Sequence, residues 1–186
     1  MSKVVTVLGF AGSLRKASYN KALLRAAVEL APKDMKIEVF DLDGIPLFNQ
    51  DFEKQPPEKV KEFKAKIKVA NAILVATPEY NYSIPGVLKN AIDWASRPYP
   101  DNAFEGKPVA IMGASIGMLG TARAQYHLRQ CFVFLNMYPL NKPEVMVTYA
   151  PQKFDENGRL TDEEMRKYVS MLLQSLADWT KKFENK

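Results

Sequence analysis

The stretch "GFAGSLRKASYN", Gly9 to Asn20, follows "VVTVL", Val4 to Leu8, five residues of almost pure strand character. A β-branched run that gives way to Gly, Ser and Asn reads as a strand leading into a loop, with a helix beginning near Asn20. The loop holds Ser13, Ser18 and Asn20, short side chains that hydrogen-bond, and Arg15, whose guanidinium fork matches phosphate oxygens. With the free backbone N–H groups of a helix start beside them, these residues predict a cradle for a single phosphate group. The patterns for longer phosphate chains are missing: position 11 is Ala and position 14 is Leu where G-x-G-x-x-G requires Gly, and no G-K-[ST] follows. A mononucleotide is therefore favoured over NAD or ATP as the tightly held group. A structural alternative stays open, because Ser18 and Asn20 also suit a helix cap.

Working outward, strand-like runs at Val4–Gly9, Lys36–Leu42, Ala72–Thr77, Val109–Ala114 and Glu144–Val147 alternate with helical patterns at Asn20–Leu30, Pro57–Ala70, Pro85–Ser96, Thr121–Asn136 and Thr161–Phe183. Runs such as "AILVAT" and "VAIMGA" are apolar on successive residues, so both faces are buried. That pattern predicts an α/β fold, a five-stranded parallel sheet with helices on both faces, forming a three-layer sandwich. The length of 186 residues, 47% hydrophobic and 25% charged, suits a single domain over residues 1–186.

In such a sheet ligands bind beyond the carboxyl ends of the strands, where the crossover helices change face. The loops after the third and fourth strands are therefore informative. The third gives "TPEYNYSIPGVLKNAIDW", Thr77 to Trp94, whose Glu79, Tyr80, Asn81 and Tyr82 lie between two prolines and can hold a flat heterocycle by edge hydrogen bonds and ring contacts. The fourth gives "GASIGMLGTARAQYHLRQ", where Ser115, Gly117 and Gly120 form a low-bulk loop that lets backbone approach a ligand. One crevice would thus receive a phosphate from one loop and a planar ring from two others.

Together "GSLRKASYN", "TPEYNYSIPGVLKNAIDW" and "GASIGMLGTARAQYHLRQ" resemble the NAD(P)H-dependent FMN reductases of the flavodoxin-like class, the group that includes bacterial quinone, azo and chromate reductases; the similarity covers nearly the whole chain. The resemblance implies a non-covalent FMN, with Ser13, Leu14, Arg15, Ser18, Tyr19 and Asn20 at its phosphate, Glu79, Tyr80, Asn81 and Tyr82 along the isoalloxazine, and Ser115, Gly117 and Gly120 covering the ring. It also implies NADH or NADPH as donor, small-molecule acceptors, and a homodimer or homotetramer whose contact uses Tyr82, Arg123, Tyr126 and Glu144. One departure is Thr121, where many members carry a second glycine after Gly120. In this scheme the chemistry belongs to the cofactor, so no catalytic side chain is expected.

Composition narrows the alternatives. One cysteine and one histidine, Cys131 and His127, offer no disulfide and no metal cluster. The formal charge of +5 is dispersed through helical patterns, which speaks against nucleic-acid binding and against an acidic flavodoxin-like electron carrier. No apolar run reaches the ~20 residues of a membrane span, and the N-terminus lacks signal-peptide character, so a cytoplasmic protein without membrane contact is expected. "GASIG" matches the G-x-S-x-G of a serine hydrolase with Ser115 as nucleophile. Its only histidine, His127, lies twelve residues on in the following helix, about 18 Å along the axis. His127 and Cys131 share a helix face and are read as packing or interface residues.

Overall fold

A computed structural model describes residues 4–184. Its centre is a parallel sheet in the order β2-β1-β3-β4-β5, built from β1 (Val5–Ala11), β2 (Met35–Phe40), β3 (Ala72–Ala76), β4 (Pro108–Ala114) and β5 (Tyr138–Pro139), with β6 (Val145–Val147) also paired to β4. The helices are α1 (Tyr19–Glu29), α2 (Glu58–Val69), α3 (Gly86–Ala95), α4 (Ala122–Phe134) and α5 (Glu163–Glu184). Every expected helix and strand is present, with ends displaced by one or two residues. The expected five-stranded sheet is corrected in one respect: its fifth position is split. Tyr138–Pro139 lies against the start of β4 and Val145–Val147 against its end. The residues between include Pro143, which cannot donate to a ladder, and only the second half showed a strand pattern.

The two-residue period of the strands sorts their side chains into two cores. Val5, Val7 and Ala11 of β1, Ala72, Leu74 and Ala76 of β3, and Ala110, Met112 and Ala114 of β4 face α1 and α5. Leu8 and Phe10, Ile73 and Val75, and Val109 and Ile111 face α2, α3 and α4. Adjacent strands β1 and β3 end in register, Ala11 opposite Ala76, yet the helices that follow them lie on opposite faces. The gap this leaves at the carboxyl ends of β1, β3 and β4 is the crevice where the three loops meet.

Candidate functional site

The β1–α1 loop forms one wall. Gly12 donates to Ala76 O at 2.9 Å, and a Cβ there would lie 3.1 Å from Leu88, so the chain turns away from the sheet in tight contact with α3. The backbone N–H groups of residues 13–17 find no acceptor among the described residues. Ser13 is only 3% exposed, and its hydroxyl, without a partner among the described residues, opens into the crevice. Arg15 is exposed and joins no ion pair among the described residues. Ser18 caps α1, accepting from Asn20 N at 3.2 Å and Lys21 N at 3.4 Å. Tyr19 lines the same space while its ring packs on Phe154, and Leu14 stands exposed at the rim.

Asn20 has a structural role as well. Its carboxamide holds the end of β4, donating to Ala114 O and accepting from Ala114 N, both at 2.9 Å. It braces the crevice floor, which it also lines, and one of its two amide N–H donors remains for a ligand.

The second wall is the β3–α3 loop. Tyr80 and Ser83 exchange two backbone hydrogen bonds of 3.0 Å around Asn81 and Tyr82, whose φ angles of 51° and 66° are both left-handed. This is the pattern of a type I′ turn, unusual in placing a tyrosine in the second left-handed position. The N–H groups of Asn81 and Tyr82 have no acceptor among the described residues, and the Tyr80 and Tyr82 rings are exposed. Glu79 lines the crevice, but its carboxylate turns to α4, where it accepts from Arg123 N at 3.0 Å and Ala124 N at 3.2 Å and pairs with the Arg123 guanidinium.

In the β4–α4 loop, Ser115 Oγ accepts from Gly117 N at 3.1 Å, while Ser115 N and O bond to Val147 O and Ala150 N. Ile116 lines the crevice, and Ile116 and Met118 of this loop are both 70% exposed. Gly117 and Gly120 follow in the same loop, outside the residues that line the crevice itself. Gly120 is required for packing: its φ is +54°, and a Cβ would sit 2.7 Å from the backbone of Met146. Thr121 adopts φ +75°, a conformation that explains why glycine suits this position. Its hydroxyl fills a hole left by Gly113, where a Cβ would approach to 1.9 Å, and accepts from Gln125 Nε2 at 3.2 Å.

Arg123, expected to meet an acid across a subunit contact, pairs within its own chain to Glu79 and lies 3.5 Å from the centroid of the Tyr82 ring. Glu144 and Tyr126 are exposed. A hydrolase geometry is not formed: His127 Nδ1 lies 3.0 Å from Ser83 Oγ, and Ser115 is absent from the left-handed residues, where a nucleophile elbow would place it. Sequence reasoning overlooked Pro78, Ala114 and Ile116 in the lining. Among the described residues no group of metal-ligating side chains assembles, and no helix is long and apolar enough to cross a membrane.

The assembled crevice has a volume of about 320 Å3. Its one lining acid directs its oxygens away, and its phosphate side presents unpartnered N–H donors at a helix N-terminus beside a free guanidinium, a surface prepared for an anion.

Comparisons with known proteins agree with that geometry. A family model described as NADPH-dependent FMN reductase matches residues 5–152. The chain is 55% identical over 183 residues to an NAD(P)H-dependent FMN reductase of Pseudomonas aeruginosa, with 98% of each chain covered. It is 44% identical over 170 residues to a 2-hydroxy-1,4-benzoquinone reductase of a Burkholderia species, covering 91% of this chain and 93% of that one. The solved structure of a flavoenzyme NAD(P)H:(acceptor) oxidoreductase from Paracoccus denitrificans superposes with a TM-score of 0.89 at 36% identity, over 96% of this chain and 98% of that one. With a crevice of this chemistry at the switch point of a flavodoxin-like sheet, the chain belongs to the NADPH-dependent FMN reductase family.

Proposed function

We propose that this chain is a single-domain reductase that holds FMN in the crevice and passes electrons from NADH or NADPH to small-molecule acceptors: quinones first, then azo compounds, metal oxyanions such as chromate, and free flavin. The observation that carries the reading is the run of unpartnered N–H groups at residues 13–17 with the unpaired Arg15 and the buried Ser13 hydroxyl. These groups suit one phosphate, and nothing beside them provides for a second.

In this reading Ser13, Arg15 and the N-terminus of α1 hold the phosphate, and Ser18 contributes its hydroxyl proton while its oxygen caps the helix. The turn at Asn81 and Tyr82 offers free N–H donors to the edge of the ring, suited to negative charge that develops there. Tyr80, Ile116 and Ser115 limit the ring's position. Bound FMN would supply the redox chemistry, accepting a hydride from the nicotinamide and yielding electrons to the acceptor. The exposed rim of Tyr80, Tyr82, Ile116 and Met118 leaves the outer side open, so donor and acceptor use one space in turn, a ping-pong order. The same rim and the outward side chains of α4, Tyr126, Val133 and Phe134, suit a homodimer or homotetramer.

The purified protein is expected to be yellow with about one FMN per chain, and cofactor released by heat should run as FMN on chromatography. Release of FAD, or no flavin binding on titration, refutes the reading. Parallel double-reciprocal lines with NADPH and a benzoquinone test the order of binding, and sedimentation equilibrium tests the assembly.

A further inference from the structure

We propose that Glu79 is a positioning residue that clasps the Tyr80–Ser83 turn to helix α4 and so fixes the free N–H groups of Asn81 and Tyr82 for the flavin ring; this rests on the reading that the crevice holds FMN.

The need for the clasp begins in α4. Its N-cap, Thr121, is left-handed and supplies no side-chain cap, so the first N–H groups of the helix lack the acceptor they ordinarily receive from that position. Glu79 supplies it from 44 residues away in sequence: one carboxylate oxygen takes Arg123 N and Ala124 N, and the other takes the Arg123 guanidinium. The side chain is 7% exposed, and negative charge at a helix N-terminus is favourable.

The turn is held at its other end by the same helix. Ser83 Oγ lies 3.0 Å from Nδ1 of His127, one turn along α4 from Arg123. Between the two anchors the Tyr82 ring rests on the Arg123 guanidinium, 3.5 Å from centroid to carbon. Asn81 and Tyr82 hold left-handed backbone angles, and tyrosine is disfavoured there unless its surroundings enforce it. The contacts with α4 are that enforcement. Without Glu79 the turn loses its ion pair and Arg123 loses its place under Tyr82, so the two N–H donors are no longer fixed.

The test is titration of apoprotein with FMN and with riboflavin, which shares the ring and lacks the phosphate. Glu79→Ala is expected to weaken both flavins by the same factor, about tenfold or more, leaving their affinity ratio unchanged. Arg15→Ala should lower that ratio, since it acts on the phosphate alone. Glu79→Gln, which keeps an acceptor for the helix N–H groups and loses the pair with Arg123, should fall between wild type and Glu79→Ala. The midpoint potential of the bound flavin should drop in Glu79→Ala, because donors to the reduced ring are displaced. If Glu79→Ala does not fold, Glu79→Gln and Arg123→Ala make the same test, each expected to weaken both flavins equally. Wild-type affinity for both flavins in a variant whose melting temperature alone has fallen overturns the proposal, leaving Glu79 as a helix cap only. A wild-type protein that binds neither flavin sinks the functional reading itself, an outcome seen before any variant is made.

Discussion

The two ends of the sheet are built on opposite terms. At the carboxyl end, Asn81, Tyr82, Thr121 and Tyr149 take left-handed backbone angles, and among the described residues the N–H groups of residues 13–17 have no acceptor and Arg15 has no ion-pair partner. At the amino end polar groups answer one another: Asn71 accepts from Thr6 N and Thr6 Oγ1, Lys107 donates to the last carbonyls of α2, and Lys181 pairs with Asp34 at 2.8 Å. Buried Lys64 donates to Asp101, tying α2 to the loop before β4. The one left-handed non-glycine residue near this end, Asn136, is of a type that tolerates the conformation. Left-handed angles at non-glycine residues thus cluster at the carboxyl end, and side-chain pairs secure the other.

The largest effect is expected where a strained loop meets packing. Gly120→Ala adds a Cβ against the Met146 backbone at a left-handed position, and should destabilise the fold by about 2–4 kcal/mol in urea denaturation, the sum of the two penalties. If stability holds, the carboxyl-end loops are free to yield and the contrast between the ends fails. Arg15→Ala should weaken FMN binding by about 1.5–3 kcal/mol on titration of apoprotein, the range for a charge-assisted hydrogen bond. Its urea midpoint should stay at the wild-type value, because an unpaired exposed cation supports nothing in the free chain.

Asn20→Ala sharpens the comparison from within the functional end. It deprives the buried N–H and carbonyl of Ala114 of their partners, so a loss of about 1–3 kcal/mol in stability is expected from denaturation curves. A change confined to FMN affinity would return Asn20 to the role of phosphate ligand.

The smallest effect belongs to the amino end and to acid. The hydrogen bond from Lys181 holds the Asp34 carboxyl below the ordinary carboxylate range. A depressed carboxyl stabilises the fold above its unfolded value and loses that contribution as pH falls through the folded one. The stability difference between wild type and Asp34→Asn should therefore be present at neutral pH and vanish in strong acid, with flavin affinity equal in both. A difference in flavin affinity would show the two ends to be coupled.

Much of this architecture was legible in the chain. Continuous apolar runs such as "AILVA" fit only strands buried on both faces, and glycine, serine and proline mark the loops between. The split fifth strand was harder to read, because two-residue Tyr138–Pro139 is too short for any periodicity. Of the site, Ser13, Arg15 and Tyr80 line the crevice as their chemistry suggested. Asn20, Gly120 and Arg123 also have partners within the chain that their loops did not announce: Ala114, Met146 and Glu79. A polar or flexible residue in a ligand loop advertises capacity for a contact, and distant backbone decides whether that capacity is already used.

The sequence by itself determined the order of strands and helices, the two buried faces, and the choice of a single phosphate over a dinucleotide, because periodicity and the residue types of one loop are local properties. Tertiary structure decided which donors remain free. Ser18 became a cap, Asn20 a brace for β4 and Glu79 the acceptor at the start of α4, since each hydrogen-bonding group is taken by whichever partner the fold brings within about 3 Å. The N–H groups of residues 13–17, Asn81 and Tyr82 were left without acceptors among the described residues, and that remainder, which no residue identity encodes, is what the proposed site offers a ligand.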